Sequence, residues 1–400
     1  MSEPDVSELL TVAQAIAVLD AAEVRPRAIE VPLAEADGFV LRQDVRADRD
    51  YPPFDRSLMD GYAVHTTDTA HVPVDLDVIG EIAAGAPSAR DFAKGQTVAI
   101  MTGAPLPQGA DGVVPVEHVE KFSASTIRVL SASAPGRFIA RRGSDVRAGE
   151  IVLKKGTRLG PAQLAALATV GTSKVPAFAK PRAALLSTGN EIVSFDQVPA
   201  GSQIRNSNSL LLVSLLKRLG CDVTDLGTVR DDRNSVRESL ERGMKFDLLF
   251  VTGGMSMGEY DFVPHTLAEL GADLQITKLR IKPGKPFVFA RKDDCHIFGL
   301  PGNPVSAFVC TVRLASRLIA RLSGTQPVEN WIHASLSEAL PANGPREFYQ
   351  PVFCRDGVAV PLKWKGSADV FTLASANGLL ARAENEPALP AGAPVRVWKV

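Results

Sequence analysis

The sequence predicts a multidomain protein of the α/β plus β kind. A doubly wound α/β domain follows an inserted β-rich domain and precedes a small C-terminal β domain, and a discontinuous first domain flanks the insertion. Three observations carry this. The 400 residues set a soft expectation of several domains at roughly 150 residues each. From 181 to about 322, short apolar runs alternate with helix-like segments, which implies a largely parallel sheet with helices on both faces. From about 27 to 141, and again from 331 to 400, short β-prone runs are broken by Gly and Pro.

Along the chain, residues 7–24 read as an amphipathic helix, with Val12, Ile16 and Leu19 at helical intervals and Thr11 and Gln14 at capping-box spacing. The runs 72–79, 97–101, 112–119 and 126–130 are the β-prone segments of the inserted module. Residues 161–170 return to helix, with Pro161 at a first helical position and Gly171 just past the end. This pattern groups 1–26 with 142–180 as one discontinuous unit around an insertion at 27–141. The α/β unit spans 181–326 and the last domain 327–400. Within the α/β unit, strands are expected at 183–187, 223–229, 247–252, 279–281, 287–290 and 296–300. Helices are expected at 209–219, 235–242 (with a Ser235/Glu238 box), 263–270 and 305–322, and 324–330 reads as a linker.

Composition narrows the function classes. Hydrophobic residues at 45% and charged residues at 22% fit a folded globular chain. Acidic and basic residues nearly cancel, 45 against 44, so there is no basic excess to mark a dedicated binder of nucleic acid or membrane surface. Cys221, Cys295, Cys310 and Cys354 lie far apart and form no C-x-x-C pair, which fits a reducing compartment. The six histidines show no ligand spacing. The chain starts Met-Ser-Glu-Pro-Asp, acidic where a signal peptide is basic, and no apolar run approaches the roughly 18 residues of a membrane span. A cytoplasmic protein is expected.

The chemistry is expected at the carboxyl ends of the α/β strands, where such sheets bind ligands. The unusual loops fall there: 187–191 with Glu191, 230–232 with Asp231, 252–261 with Gly253, Gly254, Ser256 and Asp261, and 300–306 with Pro301, Gly302, Asn303, Pro304 and Ser306. A fifth, 278–285, brings Lys278, Lys282 and Lys285. Paired glycines let a backbone approach a ligand closely. Amides after Asn303 can face an anion, lysines suit phosphate or oxyanion, and carboxylates can hold Mg²⁺ among phosphate oxygens. Each feature alone has a plainer reading: a turn, a solvated lysine, or Asp231-Asp232 charging the helix that follows. Their coincidence at strand ends points to an anionic substrate handled with a divalent metal.

These segments resemble the molybdopterin molybdenumtransferase family, the MoeA-type enzymes, which include the C-terminal domain of gephyrin. The resemblance rests on 187–191 (Ser-Thr-Gly-Asn-Glu), Gly253-Gly254 through Asp261, 281–286 (Ile-Lys-Pro-Gly-Lys-Pro) and 300–307 (Leu-Pro-Gly-Asn-Pro-Val-Ser-Ala). It extends to 57–63 (Ser-Leu-Met-Asp-Gly-Tyr-Ala), 101–105 (Met-Thr-Gly-Ala-Pro), 141–145, 205–208, 346–348 and Gly366-Ser367, and so covers nearly the whole chain. Asn190 stands where aspartate is common in the family, and Met255 and Met257 where valine is common.

The resemblance implies an elongated first domain, an inserted β-rich second, a third like the stand-alone adenylyltransferases (MogA-like) and a β-barrel-like fourth. It implies insertion of molybdate into adenylylated molybdopterin with release of AMP, dependent on Mg²⁺. Metal or acid/base work falls to Glu191, Asp231 and Asp261. Lys278, Lys282 and Lys285 face substrate charge, Ser306 caps the substrate end of its helix, and Arg346 and Ser367 contact substrate from the fourth domain. A homodimer is implied, with Asp60, Thr102 and Asp145 of one chain facing the loops of the other. Transient contacts are implied with a molybdopterin adenylyltransferase and with apo-molybdoenzymes or their chaperones. Two alternatives are a molybdopterin adenylyltransferase and a non-catalytic, gephyrin-like scaffold.

Overall fold

The first helix of the chain shows how local sequence and distant packing combine. In the computed structural model, which describes residues 9–86, 91–123, 125–255 and 262–400, Thr11 and Gln14 close the expected box. The Gln14 N–H donates to the Thr11 hydroxyl at 3.1 Å, and the Thr11 N–H to the Gln14 side chain at 2.8 Å. The helix runs Val12–Ala21 and buries Val12, Ala15 and Leu19. That face joins the main core of the α/β unit. Arg317 reaches Asp20 in a two-bonded pair at 2.9 and 2.6 Å, and Arg321 donates to the carbonyls of Leu19 and Ala22, both at 2.7 Å. The apolar stripe of this helix is buried against helix 316–322. What pairs with 142–180 is the next segment. Ala28–Pro32 lies antiparallel to Lys174–Phe178, which also pairs with Val40–Leu41. Helix Pro161–Thr169 packs over them through Leu167, around a small core with Val31, Leu41, Leu159 and Val175.

The β-rich module is built on a six-stranded sheet. Its strands, in spatial order, are Gly112–Pro115, Gly61–Val64, Gln96–Ile100, Val74–Ile82, Thr126–Val129 and Val119–Lys121. Two apolar clusters cover its faces, one around Val98 and Ile100, the other around Tyr62 and Val114.

The α/β sheet runs Asp222–Val229, Arg182–Thr188, Leu248–Thr252, Cys295–Leu300, Val288–Lys292 and Asp273–Ile276. The first four strands are parallel, and Val288–Lys292 is antiparallel to its neighbours. One face carries the core shared by helices 12–21, 207–218 and 304–322, and the other the core of helices 233–243 and 262–269. This is the doubly wound arrangement the alternation of strands and helices predicts. Two expectations are corrected. The helix expected at 305–322 contains a π turn at Thr311–Ala315. The strand expected at 279–281 is Ile281–Lys282, and it pairs with Glu347–Phe348 of the C-terminal domain rather than with the α/β sheet.

The C-terminal strands close on themselves. Glu347–Arg355 pairs with both Val358–Pro361 and Gly378–Arg382, and Trp331–Leu336 and Pro394–Lys399 complete a five-stranded barrel. It is bolted to the α/β unit by Arg313, which is nearly buried. Its guanidinium donates to the Tyr349 hydroxyl at 2.7 Å and to Glu329 at 2.8 Å, and lies 5.1 Å from the rings of both Trp331 and Trp398. Among the described residues no helix is long and apolar enough to cross a membrane.

Candidate active site

The parallel strands end level with one another. Thr188 is in register with Val229, Ser187 with Thr252, and Thr252 with Leu300. The loops that leave these ends must share one corner, and glycine makes this possible. Gly253 has φ +87°, and a Cβ there would sit 2.4 Å from the Thr188 carbonyl oxygen. Only a residue without a side chain permits so close a passage of two backbones. Gly302 in turn lies against the Cα of Gly253, and the Gly253 N–H donates to the Leu300 carbonyl at 3.4 Å. The Thr188 hydroxyl is buried here with no hydrogen-bond partner among the described residues.

Two asparagines not among the expected site residues brace this corner. Asn206 caps helix Ser207–Arg218 by accepting the Ser209 N–H at 3.0 Å, and its amide donates to the hydroxyls of Ser187 at 3.0 Å and Thr228 at 3.2 Å. Asn208 donates to the Gly302 carbonyl at 2.6 Å. The sequence signal for Asn206 is its position just before an apolar helical run, where Asn is a favoured cap.

The acidic loops separate into roles. Asp232 is the N-cap of helix Arg233–Gly243. The Ser235 N–H, 2.9 Å from its carboxylate, holds Asp232 below the usual carboxylate range. The helix thus begins two residues before the expected Ser235 box, because Asp232 supplies the cap. Asp231, half-buried, points its backbone N–H at the Asn190 side chain at 3.3 Å, which draws the 230–232 loop to the 187–191 loop. Glu191 is exposed and its carboxylate folds back over Gly189. Ser256 and Asp261, expected in the site, lie outside the described residues.

The loop at 300–306 is held from the barrel. Asn303 occupies the cap position of helix Pro304–Cys310 but gives its side chain to the Ser367 hydroxyl at 2.8 Å, while the Val305 N–H donates to the Ser367 carbonyl at 3.0 Å. Ser306 does not cap this helix as expected. It is the third helical residue and is buried, because Pro304 already fills the first position. Pro301 is buried and shapes the turn. Of the basic loop, Lys278 and Lys285 are half-buried and Lys282 is exposed, with Nζ 4.9 Å above the Phe348 ring. Arg346 is half-buried beside Glu347, which is in register with Ile281.

Asp60, Thr102 and Asp145 stand apart. Asp60 accepts the Thr102 N–H at 2.7 Å and the Thr102 hydroxyl at 2.8 Å, and these bonds hold its carboxyl low. Asp145 lies 3.6 Å from Arg56, and the two line a hollow of about 400 Å³ with Gly103. Among the described residues no hydrogen bond or ion pair joins this group to the strand ends of its own chain.

Other hollows lie elsewhere. One of about 370 Å³ opens at the amino ends of the α/β strands, lined by Arg27, Arg182, Asp247 and His296. Its basic and acidic side chains pair with each other: Asp247 takes Arg182 at 2.9 Å and Arg27 at 3.3 Å. The strand-end shelf has the stronger chemical claim, because its glycine-lined backbone and the loops of Glu191 and Asp231 lie where such sheets bind ligands.

Comparison with known proteins agrees with this architecture along the chain. Residues 10–171 match the MoeA N-terminal region (domain I and II), residues 184–321 a probable molybdopterin binding domain, and residues 333–400 the MoeA C-terminal region (domain IV). The chain is 34% identical to a molybdopterin molybdenumtransferase of Bacillus subtilis over 85% of its own length and 82% of the relative's. The chain belongs to the molybdopterin molybdenumtransferase family. It is also 34% identical to molybdopterin molybdenumtransferase 2 of Mycobacterium tuberculosis, covering 93% of this chain and 95% of that one. The crystal structure of a molybdopterin biosynthesis MoeA protein from Pyrococcus horikoshii superposes with a TM-score of 0.86 at 30% identity, over 98% of this chain and 100% of that one. Family membership supports the MogA-like α/β unit and the closed C-terminal barrel described above.

Proposed function

We propose that this protein inserts molybdate into adenylylated molybdopterin and releases AMP, and that it works in the cytoplasm as a homodimer. The observation that carries this reading is the meeting of the strand-end loops around the Gly253–Thr188 contact, with Ser367 of the C-terminal domain bound to Asn303. The substrate is anionic at its phosphates and at molybdate. Lys278, Lys282 and Lys285 meet that charge, and the backbone at Gly253, Gly254 and Gly302 allows close approach. Arg346 and Ser367 bound the site from the barrel side, with Asn303, Pro301, Pro304 and the buried Ser306 shaping its floor.

A magnesium-type cation fits the donor set. Glu191 and Asp231 offer carboxylate oxygens with no thiol or imidazole among them, and Asp261 is the expected third acid. Such an ion takes its remaining ligands from substrate phosphates and water. Bound there, it would neutralise charge on the pyrophosphate linkage. In a homodimer, Asp60, Thr102 and Asp145 of one chain would face the strand ends of the other.

The test is incubation of the purified protein with adenylylated molybdopterin and Mg²⁺, with and without molybdate, following AMP by chromatography. Molybdate-dependent AMP release is expected. In a parallel incubation with molybdopterin, ATP and Mg²⁺, accumulation of adenylylated pterin would overturn the reading in favour of an adenylyltransferase, and absence of both reactions would favour a scaffold.

A further inference from the structure

The loop that carries the site lysines leaves the α/β unit to become a strand of the barrel. Ile281–Lys282 lies parallel to Glu347–Phe348, with Lys282 in direct register with Phe348. The ammonium of Lys282 stands 4.9 Å from the Phe348 ring centroid, within cation–π range. The ring is itself fixed. It stacks on Trp364 with centroids 5.8 Å apart and planes 26° apart, and Trp364 packs against the main core. Three residues beyond Trp364, Ser367 binds Asn303 and the Val305 N–H. The C-terminal domain therefore touches the site loops twice, through Phe348 at Lys282 and through Ser367 at the Asn-Pro turn. Lys282 is exposed, and its ammonium makes no hydrogen bond or ion pair among the described residues, so the Phe348 ring face is the contact that restrains it.

We propose that Phe348, backed by Trp364, is a positioning residue for Lys282. A lysine is a compact charge on a flexible stem. Held over the ring, its ammonium is presented in one direction, toward the shelf where the anionic substrate lies. The barrel thus sets the aim of a cation that belongs, by sequence, to the α/β unit. This inference rests on the assignment of Lys282 to the substrate site.

A double-mutant cycle tests it, with KM and kcat measured for molybdate-dependent AMP release. Phe348→Leu is expected to raise KM for adenylylated molybdopterin about two- to fivefold, the equivalent of an exposed cation–π contact, with kcat changed less than about twofold. Phe348→Tyr, which keeps the ring face, should restore the wild-type KM. In a Lys282→Ala background, Phe348→Leu should have no further effect. An equal loss in both backgrounds would show that Phe348 acts only through packing and would overturn the inference. A Lys282→Ala protein with unchanged KM would instead remove Lys282 from the site, a separate failure. A readout on the unmutated ring guards against a variant that does not fold. In protein labelled with ¹³C-lysine, the Lys282 ε-methylene protons, assigned by Lys282→Arg, should be shifted upfield by the ring current. Protons at the position of a free lysine would overturn the inference.

Discussion

Gly253 passes so close to Thr188 that a single methyl group on it would lie 2.4 Å from the Thr188 carbonyl oxygen. Two strand ends are thereby locked backbone to backbone, and the neighbouring Gly254 can yield more easily, since its nearest obstacle, 3.0 Å away, is the Thr188 hydroxyl.

Gly253→Ala should therefore destabilise the protein by about 3 kcal/mol, combining left-handed backbone strain with overlap. Gly254→Ala should cost about 1–2 kcal/mol. Urea denaturation of the two variants checks the order, and a reversed order would remove the backbone contact as the organising feature of the corner.

Glu191 is exposed and near the strand ends, so its role should be separable from folding. Glu191→Gln is expected to leave stability within about 0.5 kcal/mol while lowering molybdate-dependent AMP release by about a hundredfold. Thermal melting and turnover measured on one preparation decide this. Wild-type turnover would withdraw Glu191 from the site.

If the cleft is shared between two chains, two inactive variants should rescue each other. Asp60→Ala and Glu191→Gln place their lesions on opposite walls, so a heterodimer of the two holds one intact cleft. Co-refolding equal amounts should recover about a quarter of wild-type activity, from random pairing with one good site per heterodimer. No recovery from a mixture shown to exchange subunits would count against a shared cleft.

His296 offers a pH test away from the chemistry. Burial pushes its imidazole down to about 4, from an ordinary value near 6.5, aided by the charges of Arg291 and Arg321. The folded state thus binds its proton later than the unfolded chain does. The sign follows: this contribution is fully present above about 6.5 and is lost as pH falls from there toward 4. The loss should reach about 3 kcal/mol. Denaturation midpoints between pH 7 and 4 should fall less steeply for His296→Phe, and parallel curves would refute the assignment.

Much of this architecture is legible in residue patterns. The Thr11/Gln14 box, Pro161 at a helix start and the β–α alternation after 181 each follow from local rules, and the strand-end loops follow from the alternation. What sequence spacing hides is contact at long range. Asp20 and Arg317 meet across 297 positions, and their pairing ties the first helix to helix 316–322. Ile281–Lys282 is only two residues long, too short for any period to reveal that it belongs to the barrel. Asp232 outcompetes Ser235 as a cap because a carboxylate at that position accepts the Ser235 N–H directly. The proximity of Phe348 to Lys282 depends on a register that no one-dimensional pattern carries.

The buried Arg313 has a consequence for dividing this chain. Excision of the α/β unit at the 324–330 connector would strip Arg313 of Tyr349 and both tryptophans and, if the cut fell before it, of Glu329, leaving an uncompensated charge on newly bared apolar surface. Such a fragment should be prone to self-association. The arginine that holds the two domains together thus makes the α/β unit dependent on the barrel beside it.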